Sequence, residues 1–158
     1  MPPTDRHPII MAAMGTGLAP FRAFIQHRAY LKRSGKEIGP VVLYFGCRYS
    51  KKDYLYGDEL AAFSAEGVLT DLKVAFSRDQ KEKFYVQHHI DRDPELLYKR
   101  LITQQGFFYL CGSAKQVPID IRAAVVKAIV EISNTTEEMA SDLVNQMQIK
   151  GQYNVEAW

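Results

Sequence analysis

Apolar residues in this chain fall into short unbroken blocks separated by segments with helical spacing. Pro8 to Ala13 (PIIMAA) and Val41 to Cys47 (VVLYFGC) are continuous apolar runs, the pattern of strands covered on both faces. Leu69 to Ser77 and Phe107 to Gly112 predict a third and a fourth strand, and the end of the chain from Gln152 predicts a fifth. Between them the period changes. Phe21, Phe24, Ile25, Arg28 and Leu31 fall on one helical face, and Pro20 suits that helix's first turn, where a missing N–H costs nothing. Asp58 to Gly67 predicts a helix stopped by glycine. Asp93-Pro94 predicts a helix start, with the aspartate as cap, running to about Gln104. Ile121, Ala124, Val125, Ala128, Ile129 and Ile132 form one face of a long helix. Thr135 with Glu138 predicts a capping box for a last helix carrying Met139, Leu143 and Met147. The polar spans at Ser34-Gly35, Gly39-Pro40 and Arg78 to Lys83 read as loops.

Strands alternating with helices predict an α/β three-layer sandwich, a mostly parallel five-stranded sheet with helices on both faces. In such sheets ligands bind beyond the carboxyl ends of the strands. Gly15-Thr16-Gly17, Cys47-Arg48, Ser77-Arg78, Cys111-Gly112 and the C-terminus each follow a predicted strand, so chain order alone gathers them on one rim. The glycine turn leads straight into a helix, whose free N–H groups and partial positive charge suit a phosphate. The plain alternative is a tight strand-to-helix turn without a ligand.

Composition adds limits. The 158 residues are 47% hydrophobic and 24% charged, enough for one domain with a real core. A formal charge of +2 does not argue for nucleic acid. No apolar run approaches the ~20 residues that cross a bilayer, so no direct membrane contact is expected. The start, MPPTDRHP, lacks the apolar centre of a signal peptide. The two cysteines, Cys47 and Cys111, have no metal-ligand spacing, and a reducing, cytoplasmic setting is expected. His88 and His89 likewise lack metal-ligand spacing, and no metal is expected.

The rim residues carry specific chemistry. After Gly15-Thr16-Gly17 the third glycine of the common dinucleotide fingerprint is absent, and Arg48 stands where an NAD-type fold places an acid for the ribose. An arginine there suits a phosphate. The loop FSRDQKEKFYVQ offers the Ser77 hydroxyl, the Arg78 and Lys83 cations, the flat face of Tyr85 and the Gln87 amide. That set fits an adenosine carrying a 2′-phosphate. A solvated charged loop is the alternative, because Asp79 and Glu82 sit among the bases. Cys111 reads either as a small buried hydrophobe or as a ligand-facing thiol. Trp158, the single tryptophan and the last residue, reads on its own as surface packing.

The stretches GTGLAPFRAFIQHRA, LYFGCRYSKKDYLYGDEL, LTDLKVAFSRDQKEKFYVQHHI, FYLCG and GQYNVEAW, in this order, cover nearly all of residues 8 to 158. Together they resemble the NADPH-binding half of the ferredoxin-reductase module in the diflavin reductases, nearest to the NADPH–cytochrome P-450 reductase branch, with sulfite-reductase flavoproteins next. The resemblance implies a Rossmann-like NADP(H)-binding domain over residues 8–158, with 1–7 as the remnant of a linker. It implies that Gly15, Thr16, Gly17 and Arg48 hold the pyrophosphate, and that Ser77, Arg78, Lys83 and Gln87 surround the 2′-phosphate with Tyr85 against the adenine side. It implies that Cys111 lies near the nicotinamide, that Glu156 is the acid two places before the terminal aromatic, and that Trp158 stacks on FAD. The family usually has aspartate at the place of Glu156, and Gly-Pro where this chain has Ala13-Met14. The implied activity is hydride transfer from NADPH to FAD, with electrons passed through FMN to a haem protein. The implied partners are the FAD- and FMN-binding domains of a longer parent, of which this chain reads as a piece. Sulfite-reductase-type and single-flavin parents stay open, as does a non-catalytic nucleotide-binding module.

Overall fold

A computed structural model describes all 158 residues. Five strands, β1 (Ile9–Met14), β2 (Val41–Cys47), β3 (Asp71–Phe76), β4 (Phe107–Gly112) and β5 (Tyr153–Ala157), form one sheet in the order β3-β2-β1-β4-β5. Every neighbouring pair is parallel, as the alternating pattern predicts. Six α-helices connect them: α1 (Leu18–Arg33), α2 (Gly57–Ala65), α3 (Val86–Arg92), α4 (Pro94–Tyr98), α5 (Val117–Ser133) and α6 (Glu137–Ile149). A single 3-10 turn, Gly15–Gly17, joins β1 to α1, and a π-helical turn, Lys99–Thr103, follows α4.

Strand geometry sends successive side chains to opposite faces, and both faces of the central strands are covered. Ile9, Met11 and Ala13 join Phe21 and Ile25 of α1 and Leu60 of α2 in one core. Ile10 and Ala12 join Ile90 of α3, Leu97 of α4, Val125 of α5 and Val144 of α6 in the other. The chain winds β1, β2, β3 outward on one side of β1, then crosses to build β4 and β5 on the other. The strand order therefore reverses between β1 and β4, where an open α/β sheet forms its ligand crevice.

Three local expectations differ from the structure. Tyr85 to Arg92 does not continue the preceding loop but forms α3, starting at Val86. The helix expected from Asp93 to Gln104 divides into α4 and the π turn, although Asp93 does cap it by accepting from Leu96 N–H at 3.2 Å. The cap of α6 is Thr136, which accepts from Met139 N–H at 3.2 Å, and not Thr135. Helix α6 buries Ala140, Val144 and Met147, while Met139 and Leu143 are exposed.

The segment before β1 is tied to the fold. Arg28 on α1 is fully buried and donates to the carbonyls of Asp5 and His7. Gly39 N–H also donates to Asp5 O, at 2.8 Å, and a Cβ on Gly39 would lie 2.2 Å from Arg6 O. Burial lowers the pKa of the Arg28 guanidinium, and the Asp5 charge opposes that. No helix is long and apolar enough to cross a membrane.

Candidate functional site

The turn after β1 is built from two glycines with different tasks. Gly15 has φ +54°, a left-handed conformation that L side chains resist, and a Cβ there would meet nothing within 4 Å. Its main chain is open to approach. Gly17 has an ordinary φ of −62°, but a Cβ there would lie 2.3 Å from the Cys111 carbonyl oxygen. Gly17 lets the start of α1 press on the end of β4. No side chain caps α1 and its first turn holds no acid, so the partial positive charge at the start of this 16-residue helix has no built-in anion, although Leu18 N–H donates back to Gly15 O and Thr16 O.

On the α3 and α5 side of the sheet the rim opens into a cleft of about 740 Å³. Gly15, Arg48, Ser77, Tyr85 and Gln87, all expected from sequence, line it. Ser77 and Arg78 follow β3 and are tied to β2 through Ser77 N–H to Cys47 O and Arg78 N–H to Arg48 O, both at 2.9 Å. That pairing sets Arg48 and Arg78 side by side. Arg78 and Lys83 are exposed beyond the lining. None of Arg48, Arg78 and Lys83 pairs with a carboxylate. Of the acids nearby, Asp79 accepts from Ser50 N–H at 3.2 Å and Asp53 from Tyr49 N–H at 3.1 Å, while Glu82 is exposed. Arg78 to Lys83 are all exposed, and no ion pair joins Asp79 or Glu82 to Arg48, Arg78 or Lys83.

The remaining expected residues gather on the other side of the turn. Cys111 is buried, with the α1 face of the sheet around it, and its register partner on β5 is Glu156. Parallel partners share a face, so the carboxylate and the thiol belong together. Burial raises the Cys111 pKa, and the Glu156 charge raises it further, so the thiol is neutral at physiological pH. Trp158 is held through its main chain, donating to Gly112 O at 3.2 Å and accepting from Ala114 N–H at 2.6 Å. Its indole is 61% exposed, with Cη2 3.2 Å from the place a Gly17 Cβ would take. Thr16 is exposed at the crest between the two groups. The rim therefore holds two sets, the cleft set and the set of Cys111, Glu156 and Trp158, bridged by Gly15–Gly17.

Several lining residues had no ligand role in the sequence analysis: Met14 and Cys47, which it named, and Gln116 and Asp120, which it did not. Met14 ends β1 and lies between two glycines: a Cβ on Gly46 would sit 3.5 Å from its Sδ, and one on Gly112 3.2 Å from its Cβ. Cys47 lines the cleft, and burial, with Asp53 and Asp79 nearby, pushes its thiol up to about 11. Gln116 and Asp120, at the start of α5, line it as well and are joined by a 2.8 Å bond from Gln116 Nε2 to Asp120 Oδ1. The rule that gathered the other loops on the rim applies equally to the residues after Gly112, and would have found them.

Comparison with known proteins agrees with this geometry. Residues 11–118 match the family model described as oxidoreductase NAD-binding domain. The chain is 49% identical, over 97% of its length, to a pyruvate dehydrogenase [NADP(+)] of Cryptosporidium parvum, covering 9% of that protein. It is 44% identical over its full length to NADPH–cytochrome P450 reductase of Musca domestica, covering 23% of it. It is 44% identical over 96% of its length to the human NADPH–cytochrome P450 reductase, covering 22%. The chain thus spans less than a quarter of each of these relatives. With a five-stranded parallel sheet, a strand-order reversal beside a glycine turn and a match over most of its length, the chain belongs to the oxidoreductase NAD-binding domain family.

Proposed function

We propose that this domain binds NADP(H) across the β1–β4 reversal and presents the nicotinamide to a flavin carried elsewhere in a longer reductase chain. The observation that carries the reading is the cleft beside the open Gly15 turn, lined by Arg48, Ser77, Tyr85 and Gln87, with Arg78 next to Arg48, Lys83 on the same loop, and no carboxylate paired to any of the three cations. An unpaired cluster of this kind suits phosphate groups. Arg78, Lys83, Ser77 and Gln87 would hold the 2′-phosphate, and Tyr85 would lie against the adenosine. Gly15, Thr16 and Gly17 with Arg48 would hold the pyrophosphate, where the open Gly15 main chain leaves room. Beyond the turn, Cys111 and Glu156 would orient the nicotinamide end. Trp158 would shield that end from water and offer the flavin an aromatic face. Bound there, the nicotinamide supplies a two-electron hydride and FAD is its redox counterpart; the protein's part is positioning.

The parent activity follows the relatives' names. We read it as an NADPH-dependent flavoprotein reductase with FAD and FMN in its other domains and a haem protein, such as cytochrome P-450, as final acceptor. A second reading has an observation of its own: the 49% identical relative is named for pyruvate and NADP(+), which puts NADP⁺ at the receiving end of the electrons. Two assays on the intact parent separate them, NADPH-driven cytochrome c reduction and pyruvate-driven NADP⁺ reduction. Calorimetric titration of the domain with NADP⁺, NAD⁺ and 2′,5′-ADP tests the binding itself. NADP⁺ and 2′,5′-ADP should bind and NAD⁺ should bind far more weakly. Equal affinity for NADP⁺ and NAD⁺ would refute the assignment of the cations.

A further inference from the structure

One wall of the cleft is a single short stretch, Phe84 to Gln87, where the polar loop after β3 turns into α3. Tyr85 is the residue that precedes the helix, with extended φ −118° and ψ 168°. It is an unusual choice for that place, because it has no short oxygen-bearing side chain to satisfy the first N–H groups. The neighbouring His88 supplies the order instead. Its Nδ1 accepts from Tyr85 N–H at 2.9 Å, and its own N–H donates to Tyr85 O at 3.0 Å. Its ring lies 5.7 Å from the Tyr85 ring at 34°, and 5.4 Å from the Phe84 ring at 43°. One histidine thus holds both main-chain groups of Tyr85 and packs against its side chain.

We infer that His88 is a positioning residue for the cleft, its neutral imidazole fixing the wall that carries Tyr85 and Gln87. The inference rests on the nucleotide reading above. The acceptor role requires a lone pair on Nδ1, and therefore the proton on Nε2. A glutamine at this helix position makes the same reach-back bond with its carboxamide oxygen. Alanine cannot. Imidazolium cannot either, since both its nitrogens donate, and it would set N–H against N–H at Tyr85. His88 is only half-buried, so a proton can reach it.

The charged and titratable groups around α3 are known. On α3 itself stand His89, Asp91 and Arg92. His89 is tied to Val74 O at 2.8 Å and its pKa is lowered, by burial first and then by Lys73, Arg92 and His88. Arg92 lies over the Phe84 ring at 4.3 Å, and Asp91 pairs with Lys127 of α5 at 3.8 Å. Lys73 comes from β3, Tyr44 from β2, Asp120 from α5, Asp93 and Glu95 from the α4 end, and Lys83 and Tyr85 from the loop.

The test is calorimetric titration of the chain with 2′,5′-ADP and NADP⁺ between pH 5.5 and 8, for wild type, His88→Ala and His88→Gln. At pH 8, His88→Ala should weaken both ligands about five- to tenfold, the loss of one helix-start bond read as affinity. His88→Gln should stay within about twofold of wild type, because the acceptor is restored. Between pH 8 and 5.5 wild type should lose affinity more steeply than His88→Gln, because a protonated Nδ1 cannot accept from Tyr85 N–H. Protonation of the ligand's own phosphate is common to all three proteins, so the difference between profiles belongs to His88. Unchanged affinity in a folded His88→Ala, or the same acid limb in His88→Gln as in wild type, overturns the inference and leaves the nucleotide reading standing. Wild type that binds neither ligand at pH 8 overturns both.

Discussion

Gly15 and Gly17 sit two residues apart and answer to different physics, which makes them separable by substitution. Gly17→Ala drives a methyl group into the Cys111 carbonyl, backbone against backbone, with no flexible side chain to yield. Overpacking of this kind costs roughly 1–3 kcal/mol, and a melting curve should show Tm lowered by about 3–10 °C. Gly15→Ala meets no atom, only the strain of φ +54°, so its melting loss should be the smaller and its effect should fall on nucleotide affinity. As a proposed 2′-phosphate ligand, Arg78 would act through its charge. Arg78→Ala should weaken NADP⁺ about tenfold or more and leave NAD⁺ nearly unchanged, by calorimetry. The thiol of Cys47 makes a pH prediction. Its folded pKa, about 11, lies above the ordinary thiol range, so the unfolded chain loses that proton first. The stability it contributes is complete below about pH 8.5 and is lost as pH rises through 11. Tyr153, pushed up to about 12 by burial, acts in the same sense at still higher pH. Tm should fall between pH 9 and 11, and Cys47→Ala should flatten that fall.

At the level of elements, the two ends of α6 and α3 show what local pattern carries and where it stops. The cap is Thr136, one residue later than Thr135, while packing into the core, not the cap, selects the buried face of α6. Ala140, Val144 and Met147 go in; Met139 and Leu143 come out. Thr136→Ala should therefore cost about 1 kcal/mol in urea unfolding, and Thr135→Ala much less. Reversal of those two losses would return the cap to Thr135. Helix α3 escaped the sequence reading for a physical reason. It is seven residues long, follows a polar loop and starts after a tyrosine, so neither length nor cap residue announces it. Its stability comes from Val86 and Ile90 buried on the sheet, which is tertiary packing. The long blocks were legible because their signal is strong. β2 and β4 occupy the predicted residues, and α5 buries five of the six positions expected of it.

Taken as a molecule, the chain is expected to bind nucleotide by itself and to purify colourless, since the proposed function places the flavin elsewhere in a longer chain. A yellow protein with one flavin per chain would sink that expectation. In the intact parent, deleting Trp158 should raise NADH-driven turnover more than NADPH-driven turnover. The indole would compete with the nicotinamide for the flavin face, and the 2′-phosphate gives NADPH extra binding with which to displace it. An unchanged ratio would reduce Trp158 to packing against Gly17.

The sequence by itself determined the sheet, its parallel sense and the roster of loops on the rim. Those follow from local information: apolar blocks, helix periods and chain order, given that parallel strands all end at the same edge. It also held Gly15, Arg48, Ser77, Tyr85 and Gln87, which do share one cleft. Only the tertiary structure decided that the rim divides, with Cys111, Glu156 and Trp158 on the α1 side of the turn and the cleft lined by Arg48 on the α3 side. Side-chain parity and strand register decide that, and both depend on pairings between residues far apart in the chain. The burial of Arg28 under the Asp5–His7 carbonyls, the engagement of Asp53 and Asp79 away from the cations, and the grip of His88 on Tyr85 belong to the same class. Each is a contact whose energy exists only once distant segments, or a helix that packing alone stabilises, have come together.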